Sequence, residues 1–126
     1  MKKLLVFAGI LFVIGACFTG CYKDVEIPPS ANTNTPPQPT SFANEIQPIL
    51  TANCALSGCH VAGGQTPDME AGVAYNDLVS GGFVNTVIPT QSTIYIMING
   101  EMEVHIPSAT EREAIYDWIR NGAIDN

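Results

Sequence analysis

The sequence predicts an all-α domain of about four short helices over residues 41–126, preceded by two segments that lie outside the fold. Three observations carry this. Apolar residues recur at helical spacing at both ends of the region: Phe42, Ile46, Ile49 and Leu50 at one end, Ile115, Trp118 and Ile119 at the other. No segment shows the sustained alternation of a half-buried strand. The last helix also carries both of its boundary signals, Ser108-Ala109-Thr110-Glu111 with capping-box spacing and Asn121-Gly122 as a stop.

The first of the outer segments is residues 1–20. Lys2 and Lys3 precede an apolar core from Leu4 to Ile14, and Phe18-Thr19-Gly20 leads to Cys21. This is the layout of an export signal, and the apolar run is short for a bilayer span. An uncleaved anchor is the alternative, but nothing after Cys21 continues the apolar run. The run into Cys21 resembles a bacterial lipobox, with Phe18 where leucine is usual. The resemblance implies that Cys21 is acylated and becomes the mature N-terminus. Cys17, after Ile14-Gly15-Ala16, is the alternative lipidation site. Cys21 leaves the longer apolar core, and polar sequence begins immediately after it. Several acyl chains on one cysteine hold a protein to a membrane where a single chain does not. The expected location is thus a bacterial membrane, with the protein lipid-anchored and facing the periplasm or the cell surface. The Cys-Tyr-Lys-Asp-Val-Glu start weakly resembles surface-export signals.

Residues 21–40 read as a lipidated, disordered linker. Pro28, Pro29, Pro36, Pro37 and Pro39 alternate with Ser, Asn and Thr, a composition that forms neither helix nor core. Such a stretch reaches roughly 60 Å as polyproline and about 24 Å as a flexible coil. Without residues 1–20 the chain keeps three basic and twelve acidic residues, a net −9 with neutral histidines. Nucleic acid is therefore a poor partner, and a basic redox partner is compatible with the charge.

The folded region has 86 residues, a size at which a core of side chains alone is marginal. Its first helix runs up to Cys54, and Pro48 inside the stripe predicts a kink or a late start. Ala71 to Ser80 is the second helix, ended by Gly81-Gly82. Thr90 to Asn99 is the third, although Ile94-Tyr95-Ile96-Met97-Ile98 also fits a buried strand. The fourth carries Ile115, Trp118 and Ile119 on its apolar face.

The sharpest chemical signal is Cys54-Ala-Leu-Ser-Gly-Cys59-His60. Haem c attaches through two cysteine thioethers, and the histidine after the second cysteine ligates the iron. The usual spacing is Cys-x-x-Cys-His. Here four residues intervene, and Gly58 suits the outward bulge this requires. Three other readings compete. A Cys54–Cys59 disulfide suits an exported compartment and stabilises by about 2 kcal/mol, but leaves His60 unexplained. Zinc held by Cys54, Cys59, His60 and His105 has possible spacing. His60 as an incidental surface histidine is the third.

The flanking sequence adds a resemblance. Phe42-Ala-Asn-Glu-Ile-Gln-Pro-Ile-Leu-Thr-Ala-Asn-Cys54 resembles the opening of single-haem c-type cytochrome domains of bacterial lipoproteins. Ala74-Tyr-Asn-Asp-Leu78, Val87-Ile-Pro89 and Ser92-Thr-Ile-Tyr95 are similar to their middle segment, Gly100-Glu-Met102 to their ligand loop, and Trp118-Ile-Arg-Asn-Gly-Ala123 to their closing run. The resemblance covers nearly all of residues 41–126. It implies a cytochrome c-like domain around one covalent haem c, first and last helices crossing, with Trp118 packed on haem or the first helix. Trp118 reads as a core residue without a redox role.

It also implies His60 as the proximal iron ligand and Met102 as the distal one. The proline that usually follows that methionine is missing, and His105 is the alternative. Met97, inside an apolar run, reads as core packing, and Met69 lies too soon after His60. No Ser-His-Asp set, phosphate-binding glycine loop or paired carboxylate motif is present, so the expectation is an electron carrier and not an enzyme. Two alternatives remain: a haem domain with an open axial site for gas or peroxide, and a haem-free scaffold lipoprotein with a Cys54–Cys59 disulfide.

Overall fold

The computed structural model describes residues 35–126. The expected signal, Cys17, Cys21 and the linker up to residue 34 lie outside the described residues. The described part is all-α, with no strand among the described residues. A wide π-helical turn, Phe42–Ile46, runs into α1, Gln47–Asn53; then come α2, Ala74–Ser80, a 3-10 turn, Pro89–Gln91, α3, Thr93–Ile98, and α4, Ala109–Arg120. None is long and apolar enough to cross a membrane.

Pro48 shapes the first helix as expected. It has no N–H to give to the preceding turn, so it sits in the first turn of α1, where N–H groups lack intrahelical acceptors anyway. Upstream the chain widens: the N–H of Ile46 reaches Ser41 O at 3.2 Å, and that of Gln47 reaches Phe42 O, each five residues back. Ser41 Oγ caps the start by accepting from the Asn44 N–H.

α2 begins at Ala74, later than Ala71, because Gly72 takes φ +90° and Val73 is not yet helical. It ends on glycine as expected. Gly82, at φ +79°, allows the Phe83 N–H to return to Leu78 O at 3.0 Å. The expected third helix is divided at Ser92, whose backbone is extended. Ser92 is buried, and its Oγ accepts from the Asn85 N–H at 2.8 Å and donates to Asn85 O at 3.3 Å. This pins the break to the preceding loop, and the strand alternative does not form.

α4 is the best-defined element. Ser108 Oγ accepts from the Glu111 N–H at 3.3 Å. At the other end, Gly122 at φ +94° lets the Ala123 N–H bond Trp118 O at 2.9 Å. Trp118 is fully buried against Phe42 and Tyr75, with ring centroids 5.1 and 6.4 Å away. Its Nε1–H donates to Ile124 O at 3.0 Å. Beside it, Ile46, Leu50, Leu78, Ile115 and Ile119 complete a core in which first and last elements meet.

The chain termini of the folded unit also meet. Ser41 Oγ donates to Asn126 O at 2.8 Å, and the Phe42 N–H donates to Asn126 Oδ1 at 2.8 Å. The linker expected over 21–40 does not stay free to its end. The Gln38 N–H donates to Asp117 Oδ2 at 3.0 Å, Asn121 Nδ2 donates to Gln38 O at 2.6 Å, and the Arg120 guanidinium donates to Thr35 O. Residues 35–40, the start of the described residues, thus lie against α4.

Candidate cofactor site

α1 delivers the chain to Cys54, and a tight loop then turns it back on itself. The Cys59 N–H donates to Leu56 O at 2.8 Å, closing a four-residue turn whose third residue is Gly58 at φ +80°. A type II turn demands positive φ at that position, which glycine adopts without a steric cost. The His60 N–H then donates to Cys54 O at 3.1 Å. The two residues beyond the usual spacing are accommodated in this exposed turn, and Cys54 and His60 stay close together.

The orientation of His60 has a specific cause. Its Nδ1 lies 2.9 Å from Pro67 O, and a carbonyl can only accept. The neutral ring therefore carries its proton on Nδ1 and its lone pair on Nε2. The backbone is fixed too, since the Met69 N–H donates to His60 O at 2.9 Å. Pro67 is buried and holds the imidazole through its main chain alone. Nothing in the sequence marks this contact, because a backbone carbonyl leaves no trace in residue identity.

Cys54, Cys59 and His60 line one cavity of about 460 Å³. This is within the size range of small-molecule and cofactor pockets. The rest of its wall includes Ile94, Met97 and Ile98 from α3, and Met102 and His105 from the loop into α4. Every sequence-predicted cofactor or metal residue among the described residues is on this wall. Met97 is a correction: it is half-buried and lines the cavity, where core packing was expected. Met69 is buried, lines the cavity, and lies on the His60 side because its backbone is bonded to that of His60. Met102 is half-buried and His105 exposed. Trp118 is not in the lining; it packs on the first helical turn.

The lining contains no Asp, Glu, Lys or Arg. Such a wall favours a large, mainly apolar ligand whose charged groups stay at the mouth. Cys54 and Cys59 are both free thiols. Burial, with a smaller contribution from Cys59, pushes the Cys54 thiol up to about 11. A neutral thiol is a poor partner for disulfide exchange and a poor thiolate ligand. Among the described residues, no three His, Cys, Asp or Glu side chains gather closely enough to hold a metal ion. A flat cofactor that takes two sulfurs along its edge and one imidazole on its face fits this donor set, because it does not need the donors to converge on one point.

No protein-family model, curated protein or solved structure matches the chain.

Proposed function

We propose that this chain is a membrane-tethered c-type cytochrome that transfers single electrons through one covalent haem c. The observation that carries the reading is His60: the Pro67 carbonyl holds its Nδ1–H, and its ring lines the cavity that Cys54 and Cys59 share. Metal-bound histidines are characteristically held this way, by a second bond from the other ring nitrogen.

In this reading Cys54 and Cys59 hold the haem by thioethers. Each would do so by adding its S–H across a vinyl group of the haem, a balanced addition that needs no oxidant. His60 Nε2 would hold the iron from one side and Met102 from the other, with His105 as the alternative to Met102. When bound, haem supplies reversible one-electron chemistry. The protein orients the imidazole, keeps water from the apolar wall around Leu50, Ile94 and Ile98, and leaves the ionised groups outside. The contact of Phe42 with Trp118 supports a cytochrome c-like arrangement, in which first and last helices cross. Acylation at Cys21 tethers the domain to the membrane, and the ten acidic against two basic residues over 35–126 suit a basic redox partner.

Expression of the full chain with a haem-attachment system tests this. The expected product is red, keeps its haem on the polypeptide after acid–acetone extraction, and fractionates with membranes unless Cys21 is replaced by serine. Freely extracted haem, or no haem absorption at all, rejects the cytochrome reading and favours a scaffold lipoprotein. Carbon monoxide binding to the reduced native protein would instead favour an open axial site.

A further inference from the structure

Arg112, on α4, is 8% exposed, and its surroundings are unusual for so buried a cation. Its Nη1–H donates to Ile106 O at 2.6 Å, and its Nη2 lies 3.2 Å from Glu103 Oε1. Its Nε is buried without a partner. Burying a guanidinium with one donor unmet is costly, and an apolar side chain at this position would avoid that cost. Its two bonds go to one short segment. Glu103 and Ile106 bracket Val104-His105, and Met102 directly precedes Glu103.

The segment is otherwise lightly held. It contains no helix, and its own bonds are turns: the Met102 N–H to Met97 O at 2.8 Å and the His105 N–H to Met102 O at 3.0 Å. Ile106 is fully buried, but Val104 and His105 are exposed. Of the two cations among the described residues, the other, Arg120, lies 5.3 Å over the Tyr116 ring and bonds Asp117 and Thr35. Arg112 alone ties the rigid last helix to this loop with charge.

We propose that Arg112 is a positioning residue for the far wall of the cavity. Its forked guanidinium fixes the loop at Glu103 and Ile106, and so sets where Met102 and His105 stand opposite His60. This rests on the cytochrome reading for its consequence, though not for its geometry. Arg suits the role better than Lys, because two donors of one planar group engage two points at fixed separation. In the proposed holoprotein, releasing the loop would loosen whichever of Met102 and His105 holds the iron.

The test uses the full-length holoprotein. Arg112→Gln and Glu103→Gln are each expected to raise the high-spin fraction of the ferric spectrum. Imidazole, the competing ligand, should bind roughly tenfold more tightly than to wild type, the effect of losing one charge-assisted hydrogen bond. Arg112→Lys should fall between them and wild type. Asp117→Asn, which perturbs the same helix but contacts the linker, should leave imidazole affinity unchanged. Glu103→Gln keeps the guanidinium and its bond to Ile106, so it carries the test if Arg112→Gln does not fold. Imidazole affinity within about twofold of wild type in the folded variants overturns the proposal. If the wild type holds no haem, the function reading has failed and the clamp is judged alone. Amides 102–106 should then exchange at least roughly tenfold faster in the Glu103→Gln protein, and unchanged exchange rejects it.

Discussion

Replacing Trp118 tests the crossing of first and last helices, and its size can be worked out from the contacts. The indole is fully buried, touches the Phe42 and Tyr75 rings, and donates its N–H to Ile124 O. Trp118→Ala removes all of this and should cost about 3–5 kcal/mol. Trp118→Phe keeps most of the ring contact. It loses the hydrogen bond, worth about 1 kcal/mol, and a similar amount for the space left by the smaller ring. Against a total stability of roughly 5–14 kcal/mol for a domain of this size, alanine removes about a fifth or more. The melting midpoint should fall by about 15–30 °C for alanine and about 8–15 °C for phenylalanine. Far-UV circular dichroism measures the midpoints in a thermal scan and the free-energy losses in a urea titration. Because Trp118 does not line the cavity, Trp118→Phe should leave unchanged the haem spectrum expected under the proposed function. Equal losses for the two variants, or a loss below about 1.5 kcal/mol for alanine, would refute the argument that this ring locks the two ends of the chain together.

Three further outcomes follow from the site. In haem-free protein carrying Cys59→Ser, Cys54 should alkylate at pH 8 on the order of 100-fold slower than a thiol of ordinary value, since far less of it is thiolate. Its thiol is raised from 9.0 to about 11 mainly by burial, so unfolding should become easier as pH rises from 9.0 towards 11 and not below; half-maximal alkylation near pH 9 would refute the burial argument. Gly64→Ala places a Cβ 2.2 Å from Cys59 O, which is backbone and must shift, whereas at Gly63 a Cβ meets nothing within 4 Å but φ is +78°. The first should cost about 2–3 kcal/mol and lower the yield of covalent haem, the second about 1 kcal/mol; the reverse order by denaturant titration would contradict the loop geometry. The weak red absorption of a methionine–ferric haem bond should survive His105→Ala and disappear in Met102→Ala, and the opposite pattern would assign the ligand to His105.

What was legible in the sequence is what depends on neighbours a few positions apart. The caps at Ser41 and Ser108 and the glycine stops at Gly82 and Gly122 act within one turn, so residue identity and spacing suffice to read them. Of these, Ser108 and the glycines stand out in the sequence, while the Ser41 cap shows only in the structure. The bulge between Cys54 and Cys59 was readable for the same reason, since Gly58 needs only its own φ to turn the chain.

The tertiary structure decided everything that depends on residues distant in sequence or on backbone atoms. The Pro67 carbonyl orients His60 without any property of the proline side chain entering the bond. Met97 reads as core in an apolar run, yet α3 brings it to the cavity together with Ile94 and Ile98, while Tyr95 packs on Tyr116. Residues 35–40 are proline-rich and read as linker, but Asp117, Arg120 and Asn121, about 80 positions later, supply partners for their backbone. Arg112 reads as an ordinary helix charge until its guanidinium is seen beside Glu103 and Ile106. Composition and spacing specify which groups are available and what each local turn can do. Which groups meet is set by burial of the apolar faces, a property of the whole chain packing at once.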